Sequence, residues 1–444
     1  MNAGLDFYLL AGVQIGWVIA AIVWVWKRGD EIPLILSGFL LYIFSFRFWA
    51  LLEGFASSVD VSNFGFSALD FTSAADVQTM AVLGQSLLLL AYMFVQKRHI
   101  THGRITGDPA LLNWLGPRVL LLALVCIPFA VLAQIYSASE IESGKVMAFE
   151  SSAYIYLFPF SLISIAMLFA ILWKAGGLTT FFAKGIALAI VGAVAALTFH
   201  PGARFQFIGW LLASTIIVGS GYSFGRKAAT LVLGIGIALA LFAVAGALRN
   251  EQVESETGLQ QSTWERFAFA EDANMLDGFV LLRQIYPGVL PFDYGGAHAE
   301  ILTRPIPRAW WPDKPVGGYM NKLGLTGIHT GGTLGISPSL FGSFYQEGGL
   351  AGIVILSMLY GFSFGKLISF TMRIPVITGV LIRAILCAFL IPLLRGGDLA
   401  GIYAWGFMSF WPCLLLLWLK RRDFFARIAS KPAPARLAVR PASS

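Results

Sequence analysis

What this chain has least of is charge: of its 444 residues only 12% are Asp, Glu, Lys or Arg, while 57% are hydrophobic. An average soluble domain is about 25% charged, and so few polar groups cannot build a wettable exterior of this size. The shortage excludes a soluble enzyme, an extracellular disulfide scaffold and a disordered chain, and leaves a polytopic membrane protein. Cysteine is scarce too. Cys126, Cys387 and Cys413 each lie in an apolar stretch, which excludes a disulfide framework and a cysteine zinc site. There is no P-loop, no His-Glu-x-x-His and no convincing Asp-x-Asp for a metal-nucleotide donor. The regularly placed intramembrane carboxylates of a proton-driven transporter are missing as well. No metal and no cofactor are expected. The net charge of +7 is scattered over short loops, the pattern of orientation in a bilayer rather than of nucleic-acid binding.

Long apolar runs are what the chain does have. A helix needs about 20 apolar residues to cross the hydrocarbon core, and this ruler gives eleven spans, near 7–26, 32–52, 77–95, 118–137, 153–173, 185–200, 207–224, 228–248, 349–365, 376–394 and 399–419. Lys27 and Arg28 follow the first run and only Asp6 precedes it, so it reads as a retained span rather than a cleaved leader. Alternation then places Lys97, Arg98, Arg104, Lys174, Lys184, Arg226, Lys227, Lys366, Arg373 and Lys420-Arg421-Arg422 on the same side. The opposite short loops hold Lys145, Arg204 and Arg395. The positive-inside rule therefore expects the amino terminus outside and the carboxyl terminus in the cytoplasm. The layout is eight spans in 1–248, one large outer loop over 249–348, three spans in 349–419, and a Pro- and Ala-rich disordered tail over 420–444.

The outer loop begins acidic (Glu251, Glu254, Glu256, Glu265, Glu271, Asp272, Asp277) and turns basic (Arg283, Arg304, Arg308, Lys314, Lys322). Trp264, Phe267, Phe269, Met275, Phe279, Leu282 and Ile285 recur at rough helical spacing, which predicts an amphipathic helix pair on the bundle or the lipid surface, or a plain structural cover. From Ile301, the segment ILTRPIPRAWWPDKPVGG is too rich in proline for a regular helix or strand. It reads as a rigid interfacial loop presenting Arg304, Arg308 and Lys314, which bind either a phosphate group or lipid headgroups. Glu347, at the mouth of the next helix, is either a general base or a favourable charge at a helix start. Arg204 and Arg395, the latter with Asp398 three residues on, occupy tight outer turns. Arg47 lies within snorkelling reach of its span end. Arg383 is either an intramembrane functional arginine or sits at the inner interface. His298 and His329 lack ligand spacing and read as solvated loop histidines.

The segment PIPRAWWPDKPVG (305–317), followed by SPSLFGSFYQEGGLAG (337–352) leading into a helix, resembles bacterial oligosaccharide repeat-unit polymerases of the Wzy (O-antigen polymerase) type. The motif covers about fifty residues, and the many-span topology with one late outer loop agrees loosely along the whole chain. The resemblance implies an all-α, GT-C-like transmembrane bundle in the bacterial inner membrane. It points to Pro307, Arg308, Trp311, Pro312, Lys314 and Pro315, then Ser337, Pro338, Gly342, Tyr345, Gly349 and Gly352. Many relatives carry Glu after the glycine matched by Gly342; here that place holds Ser343, and Glu347 one helical turn later is the available substitute. The implied reaction joins undecaprenyl-pyrophosphate-linked repeat units, with the growing glycan as donor, the new unit as acceptor and no nucleotide; a chain-length regulator is an implied partner. Arg308, Glu347 and Asp398 are the candidate catalytic groups, with Glu300 a further candidate base. Arg204, Arg304, Lys314, Arg395, Trp311 and Tyr345 are the candidate substrate contacts. Two alternatives remain open: an O-antigen ligase, which would lean on a loop histidine such as His298 or His329, and a non-enzymatic flippase.

Overall fold

The computed structural model describes residues 3–58, 69–97, 108–142, 157–198, 204–237, 274–306 and 336–425, with short pieces at 66–67, 105, 155, 240–241, 310–311, 314 and 318–323. Helices joined by turns and loops make up these residues, and no strand occurs among them. The elements are α1 (Ala3–Arg28), α2 (Ile32–Leu40), a π-helical turn (Leu41–Phe46) and α3 (Arg47–Leu52) completing the second span. Then come α4 (Phe71–Val95), α5 (Pro109–Glu142), α6 (Leu162–Ala175), α7 (Phe181–Thr198), α8 (Arg204–Gly219) and α9 (224–237). The large loop supplies α10 (Met275–Ile285), α11 (Gly296–Thr303) and α12 (Tyr319–Lys322). The chain continues through α13 (Ser339–Thr371), α14 (Val376–Arg395), α15 (Leu399–Leu419) and α16 (Arg421–Phe424).

Among the described residues, nine helices are long and apolar enough to cross a membrane, so this is a multi-pass helical protein. They coincide with nine of the eleven runs expected from sequence. Of the other two, one contains a shorter apolar helix, Phe207–Gly219, and the other is helical to residue 237, with most of its remainder outside the described residues. The tail beyond residue 425 also lies outside them.

Polar caps and close backbone contacts set the bundle. The Asp70 carboxylate accepts from Ser73 N at 2.8 Å and starts α4; Asp398 accepts from Gly401 N at 3.0 Å and starts α15. At Gly361 a Cβ would lie 2.1 Å from the Leu88 carbonyl oxygen, and at Gly209 one would lie 2.3 Å from that of Ala388. The pairs α4/α13 and α8/α14 therefore meet backbone to backbone, as small residues allow in a membrane. A buried polar chain stitches α1, the π-helical turn and α4: Gln78 donates to Ser45 at 2.9 Å, Ser45 donates to Gln14, and Gln14 donates to Gln85 at 2.7 Å.

Contacts sort the loops into two ends. At one end Arg28 donates to the Lys97 carbonyl, Lys227 pairs with Glu31, and Lys227 Nζ donates to the Gly29 carbonyl at 2.7 Å. At the other end the large-loop helices dock: Arg283 pairs with Asp76 at 3.0 Å and Arg304 with Asp398 at 3.4 Å. The basic loops and the large loop thus occupy opposite ends.

Three sequence expectations change. Helix α10 does not lie on a surface: Met275 to Leu282 and Ile285 are all buried, while Trp264, Phe267 and Phe269 lie outside the described residues. Arg47 does not snorkel; its guanidinium forms a two-pronged pair with Asp277 at 2.9 and 3.0 Å, with side chains only 2% and 4% exposed. Helical structure before the ninth expected span begins at Ser339, not Gly349. Arg383 is buried and turns its Nε to the Gly379 carbonyl at 3.3 Å.

Candidate functional site

The site grows from a break in α13. Gly348 and Gly349 leave helical geometry, and Gly349 takes φ +63°, a conformation only glycine adopts at ease. The half-helix Ser339–Glu347 before the break is buried over most of its length. Its start is fixed against the turn after α14. Gly396 has φ +73°, a Cβ there would overlap the Ser339 backbone at 2.1 Å, and Gly397 N donates to Ser343 Oγ at 3.3 Å. Ser343 is thus a structural tie to that turn.

Glu347, last residue of the half-helix, meets the start of α11. Its carboxylate accepts from the backbone N–H groups of Gly295 and His298, the latter at 3.1 Å, and from His298 Nδ1 at 2.6 Å. It therefore satisfies orphan donors of a helix start and orients an imidazole at once. A carboxylate only accepts, so Nδ1 carries a proton, and in the neutral imidazole Nε2 offers its lone pair. Tyr360 OH sits 3.0 Å from Nε2, and Tyr403 OH donates to Tyr360 OH at 3.1 Å. Four side chains from α11, both halves of α13 and α15 form one line: Glu347, His298, Tyr360, Tyr403. The His298 side chain is 26% exposed and that of Glu347 4%. His298 is therefore not a solvated loop residue but the centre of this line. His329 lies outside the described residues.

Beside it runs a charged cluster. Lys322 Nζ lies 2.6 Å from Asp293 Oδ2 and 3.8 Å from Glu300 Oε1, and Gln346 donates to Asp293 at 2.6 Å. Burial raises the Glu300 carboxyl above its usual range; Lys322 opposes that, and Asp398 and Asp293 add to it. One residue past α11, Arg304 reaches Asp398. Arg395, three residues before Asp398, lays its guanidinium 4.8 Å from the centre of the Phe205 ring. Phe205 lies at the start of α8, so the start of α8 and the turn at Arg395 meet at the end of the bundle where the large loop docks.

Other expected contacts resolve differently. Lys314 Nζ donates to the carbonyls of Arg304 and Ile306, both at 2.8 Å, and so braces the loop that carries Arg304. The Tyr345 ring packs edge-on between Phe279 and Phe292, at 5.8 and 5.7 Å, within the protein. Trp311 is partly exposed and its neighbour Trp310 is 82% exposed. Arg308, Pro307, Pro312 and Pro315 lie outside the described residues, as does the Arg204 side chain. Sequence reasoning missed Tyr360, Tyr403 and Asp293, which carry no motif and are joined to their partners only through the fold. Among the described residues no group of His, Cys, Asp and Glu could hold a metal ion. Comparison of the chain with protein-family models, curated proteins and solved structures finds no match.

Proposed function

We propose that this protein is an inner-membrane glycosyltransferase of GT-C-like architecture. It polymerises undecaprenyl-pyrophosphate-linked oligosaccharide repeat units on the outer face. The family resemblance of 305–352 supports this reading. The observation that carries it is the placement, at the large-loop end, of Arg304 and Arg395 with a histidine–carboxylate pair.

The chemistry needs two things of these residues. The acceptor hydroxyl attacks the anomeric carbon of the donor as the bond to pyrophosphate breaks, and the pyrophosphate leaves with the electron pair. Arg304 and Arg395 compensate the growing negative charge, and the family resemblance adds Arg204 and Arg308 to that role. The proton lost by the acceptor passes to Tyr360, which hands its own to His298 Nε2, and Glu347 steadies the resulting imidazolium. A positioned base of this kind contributes roughly 10²–10⁴-fold. Holding both lipids at one membrane face supplies proximity.

His298 also favours a second reading, the ligase, which shares the donor but hands the glycan to lipid A core. Deleting the gene separates them. Lipopolysaccharide carrying a single repeat is the expected outcome; free lipid-linked polymer identifies a ligase, and repeat units stranded on the cytoplasmic leaflet overturn both in favour of a flippase.

A further inference from the structure

Tyr294 stands in the turn that leads into α11. Gly296 N closes that turn on the Asp293 carbonyl at 2.9 Å, and both central residues have positive φ, +46° at Tyr294 and +92° at Gly295. This is the pattern of a type I′ turn, whose first central place favours Asn, Asp or Gly and strains a bulky residue. The turn is locked in place. The N–H groups of Asp293 and Tyr294 donate to the carbonyls of Gln346 and Glu347, both at 3.0 Å, and Gly295 N donates to the Glu347 carboxylate. Yet the ring fills no core: it is 80% exposed and meets Phe292 edge-on at 6.1 Å. A strained residue with an exposed ring, in a turn tied to the backbone and carboxylate of Glu347, breaks a local rule without a packing return, and such exceptions cluster at functional sites.

We propose that Tyr294 is a stacking platform for a sugar ring of the acceptor repeat unit, an inference that rests on the transferase reading above. The neighbouring groups select for sugar. Beside the turn, Glu300 and Lys322, the latter paired with Asp293, give a mixed polar rim suited to sugar hydroxyls rather than a cationic one suited to an anionic lipid headgroup. The C–H face of a pyranose lies on an aromatic ring while its hydroxyls bond at the rim.

Asn is a residue the turn prefers, so Tyr294→Asn removes the ring and keeps the backbone. The probe is the oligosaccharide released by mild acid from lipid-linked repeat units of a strain lacking the gene. Its binding to the full-length protein in nanodiscs is followed by calorimetry, and elongation of the intact lipid-linked unit is measured in parallel. Tyr294→Asn is expected to unfold at or above the wild-type temperature, to weaken oligosaccharide binding by about tenfold and to raise the acceptor KM by about the same factor, the scale of one aromatic stacking contact. Tyr294→Trp restores both. Wild-type affinity and KM in Tyr294→Asn overturn the platform and leave the transferase reading standing. Binding that depends on Tyr294 in a protein that never elongates keeps the platform and overturns the transferase reading. A wild-type protein that does not bind the oligosaccharide overturns the platform whether or not it elongates.

Discussion

Arg47 and Asp277 sit 230 residues apart in sequence and form a buried, two-pronged ion pair. Removing one partner leaves a buried charge uncompensated, which costs about 3–5 kcal/mol, whereas replacing both with apolar residues of similar volume is often tolerated. Arg47→Ala is therefore expected to lower the unfolding temperature in detergent sharply, and Arg47→Met with Asp277→Leu to recover most of the loss; equal loss in both variants would contradict the pairing. The same distance in sequence explains why single residues were only partly legible. Arg47 alone reads as a snorkelling cation because its partner is invisible. His298 reads as solvated because Glu347 and Tyr360 stand 49 and 62 residues away. His298→Ala is expected to reduce elongation by roughly 10²–10⁴-fold with unchanged membrane insertion; full elongation would remove it from the proton path.

At the scale of elements, α10 shows how a pattern misleads. Its apolar residues alternate with Asp277 and Arg283, which look like a wet face, yet those two side chains bind Arg47 and Asp76. Asp277 can be buried because Arg47 pairs with it, while Arg283 stays partly exposed beside Asp76, facts no periodicity records. The serine-proline and glycine-spaced stretch at 337–352 was legible as an unusual helix entry, and the structure gives the cause: a half-helix seated on the turn at Gly396 and a break at Gly348–Gly349. Gly396→Val combines an unfavourable positive φ, about 1–3 kcal/mol, with overlap on the Ser339 backbone. It is expected to lower both the unfolding temperature and activity, and a wild-type melting curve would show that the seat is not needed.

For the whole molecule, runs of about 20 apolar residues mark spans because every crossing must satisfy its backbone internally; hence nine spans agree with the sequence reading. Which helices neighbour one another was not legible, since the contacts rest on glycines such as Gly361 and Gly209 whose partners are distant. Loop charge predicts the orientation. Cys126, Cys387 and Cys413 are buried, giving a low background for thiol labelling. A cysteine replacing Trp310 should react with a membrane-impermeant maleimide in intact spheroplasts, and one replacing Arg422 only after permeabilisation. The reverse would place the large loop in the cytoplasm and remove the basis for transfer on the outer face.

The central claim is that cationic turns and a histidine–carboxylate pair join at one membrane face to pass a glycan from one lipid pyrophosphate to another. Its most direct measurement is elongation by the purified protein in liposomes loaded with lipid-linked repeat units, read as a ladder on a gel. The account predicts a ladder from the wild type, and single units only from His298→Ala and from Arg304→Ala, each folded as judged by its melting curve. A wild-type protein that leaves every unit unjoined, or a His298→Ala and Arg304→Ala pair that both build full ladders, would contradict it.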